Sequence, residues 1–100
     1  NAILMPYVLK ANRPVIEDDI AWLAGAIGLD GSFDAFQKWI IDLRAELEIP
    51  HNLADIGITP DCVEKIGIMA VADPSAATNP ILFDQATYST ICLDAIKGSL

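Results

Sequence analysis

Few side chains in this 100-residue sequence could do chemistry. His51 is the single histidine, flanked by Pro50 and Asn52. Without a second histidine, a metal there would need carboxylates delivered from elsewhere in the fold, so it reads as a hydrogen-bonded loop residue. Cys62 and Cys92 show no metal spacing and are too few for a disulfide framework. Cys62 falls in the first turn of an expected helix, where thiols are often activated, but Asp61 and Glu64 oppose that. Asp30-Gly31-Ser32-Phe33-Asp34 places oxygen-bearing side chains at alternate positions, as a calcium loop does. Such a loop then needs glycine at its sixth position and glutamate at its twelfth; Ala35 and Ile41 stand there, so the segment reads as a helix start. Gly25 and Gly28 belong to a helix and its end, not to a phosphate-binding loop. One histidine in an inter-helix loop supports no Ser-His-Asp relay. No residue of the chain is put forward as catalytic, cofactor-binding or metal-ligating.

One segment stands apart: Asp73-Pro74-Ser75-Ala76-Ala77-Thr78-Asn79-Pro80 is polar, built of small residues and bracketed by prolines. Between two firm helices, such a segment is either a plain connector or a loop facing a ligand.

The elements that must position these residues are helical. A short apolar stretch, Ile3, Leu4, Tyr7 and Val8 around Pro6, is followed by a break at Asn12-Arg13-Pro14. The acidic run Glu17-Asp18-Asp19 suits the start of a second helix, whose inward stripe is Ile20, Leu23, Ala24 and Ile27, with Gly28 closing it. Ser32 or Asp34 caps a third helix with Phe36, Trp39, Ile40, Leu43 and Leu47 recurring at three and four, and Pro50 stops it. Trp22 and Trp39, at helical spacing, read as core aromatics in preference to a stacking pair for a ligand. A single turn, Leu53 to Ile56, is capped by Asn52 and closed by Gly57. Thr59-Pro60 opens a fourth helix with Val63, Ile66, Met69 and Ala70 inward. Asp84 caps the last, which carries Tyr88, Ile91, Cys92, Ala95 and Ile96. The spacing predicts an all-α fold, a bundle of about five helices with short loops, forming one domain over residues 1–100.

Composition limits the partners. The chain carries 6 basic and 14 acidic residues, a net charge of −8, and a field of that sign repels phosphate backbones and anionic lipids. Neither nucleic acid nor a membrane is expected to bind. The apolar fraction is 53% and mean hydropathy +0.40. So small a body cannot bury all of that, which leaves apolar surface for a partner. No apolar run reaches the roughly 20 residues of a membrane span. The apolar start has no basic leader, and the cysteines read as reduced, so a cytoplasmic protein is expected. Asn1-Ala2 is compatible with native chain or with a cloning remnant.

Asn1-Ala2-Ile3-Leu4-Met5-Pro6-Tyr7-Val8-Leu9 with Asn12-Arg13-Pro14 resembles the segment that follows the metal site in iron-containing alcohol dehydrogenases. Three further segments are similar to that family's C-terminal end and come in its order. They are Leu47-Glu48-Ile49-Pro50, Leu53-Ala54-Asp55-Ile56-Gly57-Ile58, and Ala72-Asp73-Pro74-Ser75 with Thr78-Asn79-Pro80. The resemblance implies the C-terminal helical part of the dehydroquinate synthase-like fold of these enzymes, with an N-terminal nucleotide-binding domain as its partner. It implies a parent that moves hydride between an alcohol or aldehyde and NAD or NADP, with Fe2+ or another divalent metal as Lewis acid. The family's metal ligands, an aspartate and three histidines, precede Asn1, so this portion is expected to bind no cofactor and to be inactive alone. The same resemblance places Ser75 and Ala76 beside the substrate pocket of the parent. Without its neighbours the stretch Ile3, Leu4, Tyr7 and Val8 is expected to drive self-association. The competing reading is a free-standing helical interaction module, which predicts a natural start codon near Asn1 instead of an upstream nucleotide-binding half.

Overall fold

The computed structural model describes residues 2–100; Asn1 lies outside them. Every regular element among the described residues is helical. Four α-helices run in order, α1 (Met5–Ala26), α2 (Phe33–Glu46), α3 (Val63–Ala72) and α4 (Gln85–Lys97). Short 3-10 turns cover Leu53–Ile56, Pro60–Cys62 and Pro74–Thr78.

The helix boundaries follow local chemistry. Ser32 accepts from the Ala35 N–H at 3.1 Å to start α2, and Asp84 accepts from the Thr87 N–H at 2.8 Å to start α4. Asn52 caps the Leu53 turn through the Asp55 N–H at 2.9 Å. The exit of α1 is a Schellman motif: Gly28 is left-handed at φ 90°, with Leu29 N bonded to Ala24 O and Gly28 N to Gly25 O. The end of α2 closes the same way, Ile49 N to Arg44 O and Glu48 N to Ala45 O, although Glu48 must adopt φ 58° without being glycine.

The expected break at Asn12-Arg13-Pro14 does not occur. α1 runs through Pro14 as one 22-residue helix, so the bundle has four α-helices where about five were predicted. Proline removes one backbone donor, but its neighbours lock the helix. Arg13 pairs along the helix with Glu17 at 3.0 Å and across to Asp34 of α2 at 2.9 Å, while lying 4.5 Å over the Phe33 ring. The Asn12 side chain donates back to Val8 O at 3.2 Å. Pro6 sits in the first turn, where a missing N–H is no loss.

The helices pack as two pairs, α1 with α2 and α3 with α4. They form a slab of 40 × 30 × 19 Å, two helix diameters thick. Gly67, buried in the middle of α3, lets α4 approach until Ser89 Oγ donates to Val63 O at 3.1 Å. Ile3, Tyr7, Ala24, Phe33, Cys92, Ala95 and Ile96 make the buried apolar core, and the Pro6 ring is shut off from solvent completely.

Three helices turn a different face inward from the one their apolar stripes predict. In α2 the inward residues are Phe33, Gln37, Ile40 and Arg44, a face rotated by roughly 70° from the predicted stripe at 100° per residue. Trp39 remains 40% exposed and Leu47 63%. In α3, Met69 is exposed and Gly67 takes the inner position; in α1, Ala24 is buried as expected, whereas Leu23 and the C-cap residue Ile27 are exposed. Trp22, expected in the core, is 75% exposed. The predicted inward set of α4 holds. The accessible surface is 6240 Å2, about 700 Å2 above what the mass of a free monomer leads one to expect. The apolar stripes are wider than the four helices can cover.

Candidate functional site

Ser75 and Ala76 lie on the 3-10 turn Pro74–Thr78, where a loop without helical turns was expected. Asp73 accepts from the Ser75 N–H at 2.7 Å, and the Thr78 hydroxyl donates to Ser75 O at 2.7 Å, so the Ser75 backbone is held at both ends. The Ser75 side chain is exposed and Ala76 half-buried. Ser75 Oγ makes no hydrogen bond among the described residues. At the far end of the turn, Asn79 exchanges amide hydrogen bonds with Asn12 of α1. Asn12 Nδ2 donates to Asn79 Oδ1 at 3.0 Å, and Asn79 Nδ2 donates to Asn12 Oδ1 and to Ile81 O, each at 2.7 Å.

A second polar group clamps the entry to α1. Arg44, 5% exposed, donates to Ile3 O at 2.7 Å, to His51 O at 3.5 Å and to His51 Nδ1 at 2.7 Å. Gln37 donates to Pro6 O at 2.7 Å. Because Nδ1 of His51 accepts from a guanidinium, the ring proton sits on Nε2, which lies 3.2 Å from Gly98 O and 3.3 Å from Tyr7 Oη. The Tyr7 hydroxyl donates to His51 O at 2.7 Å, and burial raises its pKa against the opposing pull of Arg44. His51 is thus the hydrogen-bonded loop residue expected, tying α1, α2 and the end of α4 together.

The remaining candidates have structural work. Ser32 caps α2 and Asp34 pairs with Arg13, so the Asp30–Asp34 segment is a helix start. Cys62 Sγ donates to Thr59 O at 3.1 Å. Cys92 is buried, and that burial pushes its thiol pKa up, away from reactivity. Among the described residues no three His, Cys, Asp or Glu side chains converge on a point that could hold a metal. Nδ1 of the one histidine is occupied by the Arg44 guanidinium.

Beside hollows lined in part by charged residues, such as Lys10 with Asp94 and Lys38 with Asp42, the surface offers a run of apolar ones. A hollow of ≈ 270 Å3 lies between Ala2, Met5, Trp39, Leu43 and Leu47. A shallower one follows along Leu4, Met5, Val8 and Leu9. A third, ≈ 220 Å3, is lined by Leu4, Val8, Ile66, Phe83, Tyr88 and Cys92 among others. Met5 joins the first to the second, and Leu4 and Val8 join the second to the third, so the hollows form one band across the start of α1. Of the four residues expected to drive self-association, Ile3 and Tyr7 are buried within the chain itself, Tyr7 to 2% exposure. Arg44 and His51 hold them there, and only Leu4 and Val8 face the band.

Arg44, Gln37, Asn12 and Gly67 escaped the sequence reading. Arg44 and Gln37 follow Phe33 and Ile40 at helical spacing, a faint signal beside the stronger Trp39-Leu43-Leu47 stripe. Asn12 was read as part of a break.

The family model described as "Fe-containing alcohol dehydrogenase family, C-terminal" matches residues 1–96. A choline dehydrogenase of Bacillus subtilis (strain 168) is 30% identical over 97 residues, covering 90% of this chain and 24% of the relative. A 4-hydroxybutyrate dehydrogenase of Cupriavidus necator is 34% identical over 92 residues, covering 88% of this chain and 24% of the relative. The chain therefore spans about a quarter of the length of these curated relatives. No solved structure matches it.

Proposed function

The chain belongs to the Fe-containing alcohol dehydrogenase family, within its C-terminal region, and from that membership we propose that it is the helical domain of a cytoplasmic, metal-dependent alcohol dehydrogenase. The whole protein transfers hydride between a small alcohol or aldehyde and NAD or NADP, with Fe2+ or another divalent metal polarising the oxygen. The metal and the nucleotide are held outside these residues, and the chain alone is inactive. The observation that carries this reading is the family match across residues 1–96. Both relatives are dehydrogenases named for small hydroxylated substrates, choline and 4-hydroxybutyrate, which favours a short alcohol here.

In this reading the apolar band over Leu4, Met5, Val8, Trp39, Leu43 and Leu47 packs against the nucleotide-binding domain. The turn bearing Ser75 and Ala76 faces the substrate, a role supported by the uncommitted Ser75 hydroxyl. Removed from its parent, the chain self-associates through the band. At about 25 cal/mol per Å2, leaving even half of the surplus surface wet as apolar area is a strong incentive to pair. The acidic surface disfavours nucleic acid as a partner.

The test is turnover of alcohols and aldehydes with NAD(H) or NADP(H) and added Fe2+ or Zn2+, run on the whole protein and on this chain. Activity confined to the whole protein supports the proposal. Turnover by the 100-residue chain would overturn it.

A further inference from the structure

The reciprocal amide pair between Asn12 and Asn79 joins residues 67 positions apart. All four of its amide protons are used. Those of Asn12 go to Val8 O and Asn79 Oδ1, and those of Asn79 to Asn12 Oδ1 and Ile81 O. Asn12 is 3% exposed and Asn79 half-buried, so on the Asn12 side water has little access to substitute for a lost partner. Only asparagine fits both ends. Aspartate lacks the donors, glutamine is a methylene too long, and an apolar residue would strand the facing amide.

This pair anchors the exit of the Pro74–Thr78 turn. Asn79 N closes that turn on Ala76 O at 3.2 Å, while its side chain is fixed to α1. The entry is fixed locally by Asp73 on the Ser75 N–H. Ser75 therefore rides on a turn whose one hydrogen-bonded side-chain connection to the α1–α2 half of the molecule, among the described residues, is Asn12.

We propose that Asn12 is a positioning residue for the substrate site: acting through Asn79, it holds the Pro74–Thr78 turn so that Ser75 keeps a fixed place against the bound alcohol. The inference rests on the reading that Ser75 faces substrate. It assigns to α1 a function in substrate binding that is separate from its packing. A shift of the turn by a fraction of an ångström weakens a contact that Ser75 makes equally to bound alcohol and transition state, which raises the alcohol KM and leaves nucleotide binding and kcat alone.

The experiment uses the whole protein, with Asn12→Ala, Asn12→Asp, Ser75→Leu and Ala24→Gly variants. Ala24 is a buried residue of α1 twelve positions along the helix from Asn12, and its variant weakens that helix without touching the amide pair. Asn12→Asp keeps the acceptor for Asn79 Nδ2 and loses the donors. For Asn12→Ala the expected result is a rise of about tenfold in the KM for alcohol, with kcat and the KM for nucleotide within about twofold. Asn12→Asp falls between it and the parent, and Ala24→Gly leaves all three constants unchanged. Amide exchange at Ala76 and Asn79 accelerates in Asn12→Ala, to a smaller degree in Asn12→Asp, and not in Ala24→Gly. If that exchange is unchanged, or if Ala24→Gly raises the alcohol KM equally, the positioning role is refuted, and Ser75→Leu still judges the Ser75 reading separately. If exchange accelerates but neither Asn12→Ala nor Ser75→Leu moves the alcohol KM, the Ser75 reading fails and the inference falls with it.

Discussion

Replacing Gly67 by alanine would put a Cβ 2.2 Å from Ser89 Oγ, 2.9 Å from Gln85 O and 3.3 Å from Gln85 Cγ. The serine hydroxyl can swing away, giving up its bond to Val63 O. The Gln85 carbonyl is backbone, so α4 must retreat from α3 along their close crossing. Overpacking of this kind costs about 1–3 kcal/mol, and the lost hydrogen bond about 1 kcal/mol. Alanine's better helix propensity returns about 1 kcal/mol. The net expectation is a loss of about 1–3 kcal/mol, which for a domain of this size lowers Tm by at least about 5 °C. Gly25→Ala is the internal control: it lies in α1, and its added Cβ meets only Gly31 Cα at 3.9 Å, so propensity alone acts and stability rises by about 0.5–1 kcal/mol. Thermal unfolding followed by circular dichroism reads both. The double variant Gly67→Ala/Ser89→Ala removes the closest conflict and should be about 1 kcal/mol more stable than the two single losses combined. A Gly67→Ala chain as stable as Gly25→Ala, with no coupling to Ser89, would refute the close α3–α4 crossing.

Two further outcomes follow from the polar groups. Arg44→Met leaves Ile3 O and the His51 ring without their buried donor and should destabilise by about 2–4 kcal/mol; Arg44→Lys should recover little, because one ammonium cannot span the same acceptors. A melt of Arg44→Lys indistinguishable from the parent would show that the fork geometry is unimportant. Hydrogen bonds from the Thr87 hydroxyl and N–H hold the Asp84 carboxyl below the ordinary carboxylate range. Its contribution is therefore present above the unfolded value of about 4 and is lost as pH falls through the lower folded one. Asp84→Asn keeps a cap but not the charge, so its stability deficit relative to the parent should shrink as the solution is acidified from about pH 5 to about pH 2; a deficit that stays constant would rule the linkage out.

Much of the local structure was legible in the residues. Ser32, Asn52 and Asp84 were readable as caps, and Gly28 and Gly57 as closures, because capping depends on side chains within a turn of the backbone they serve. His51 was readable as a loop residue by its flanking proline and asparagine. The continuity of α1 through Pro14 was not legible, for a related reason. A proline weakens a helix locally, but Arg13 outweighs that through Asp34, twenty-one positions on, and Asn12 through Asn79, sixty-seven positions on. Ser75 was singled out by composition and resemblance, yet nothing in its neighbourhood announced that α1 would hold its turn.

Helix type, helix ends, the excess of apolar side chains and the family itself were determined by the sequence, since each depends on residue identity and near spacing. Which face of each helix turns inward was decided only by the tertiary structure. Apolar stripes in α1, α2 and α3 are wide enough to permit several rotations. The one adopted is selected by contacts between distant residues: Arg44 reaching Ile3 O and His51, Gln37 reaching Pro6 O, and Gly67 admitting Ser89. Those polar and close-packed contacts demand a specific geometry, whereas apolar burial is nearly indifferent to direction. The rotation they impose leaves Trp39, Leu43 and Leu47 on the surface, beside Met5 and Leu4.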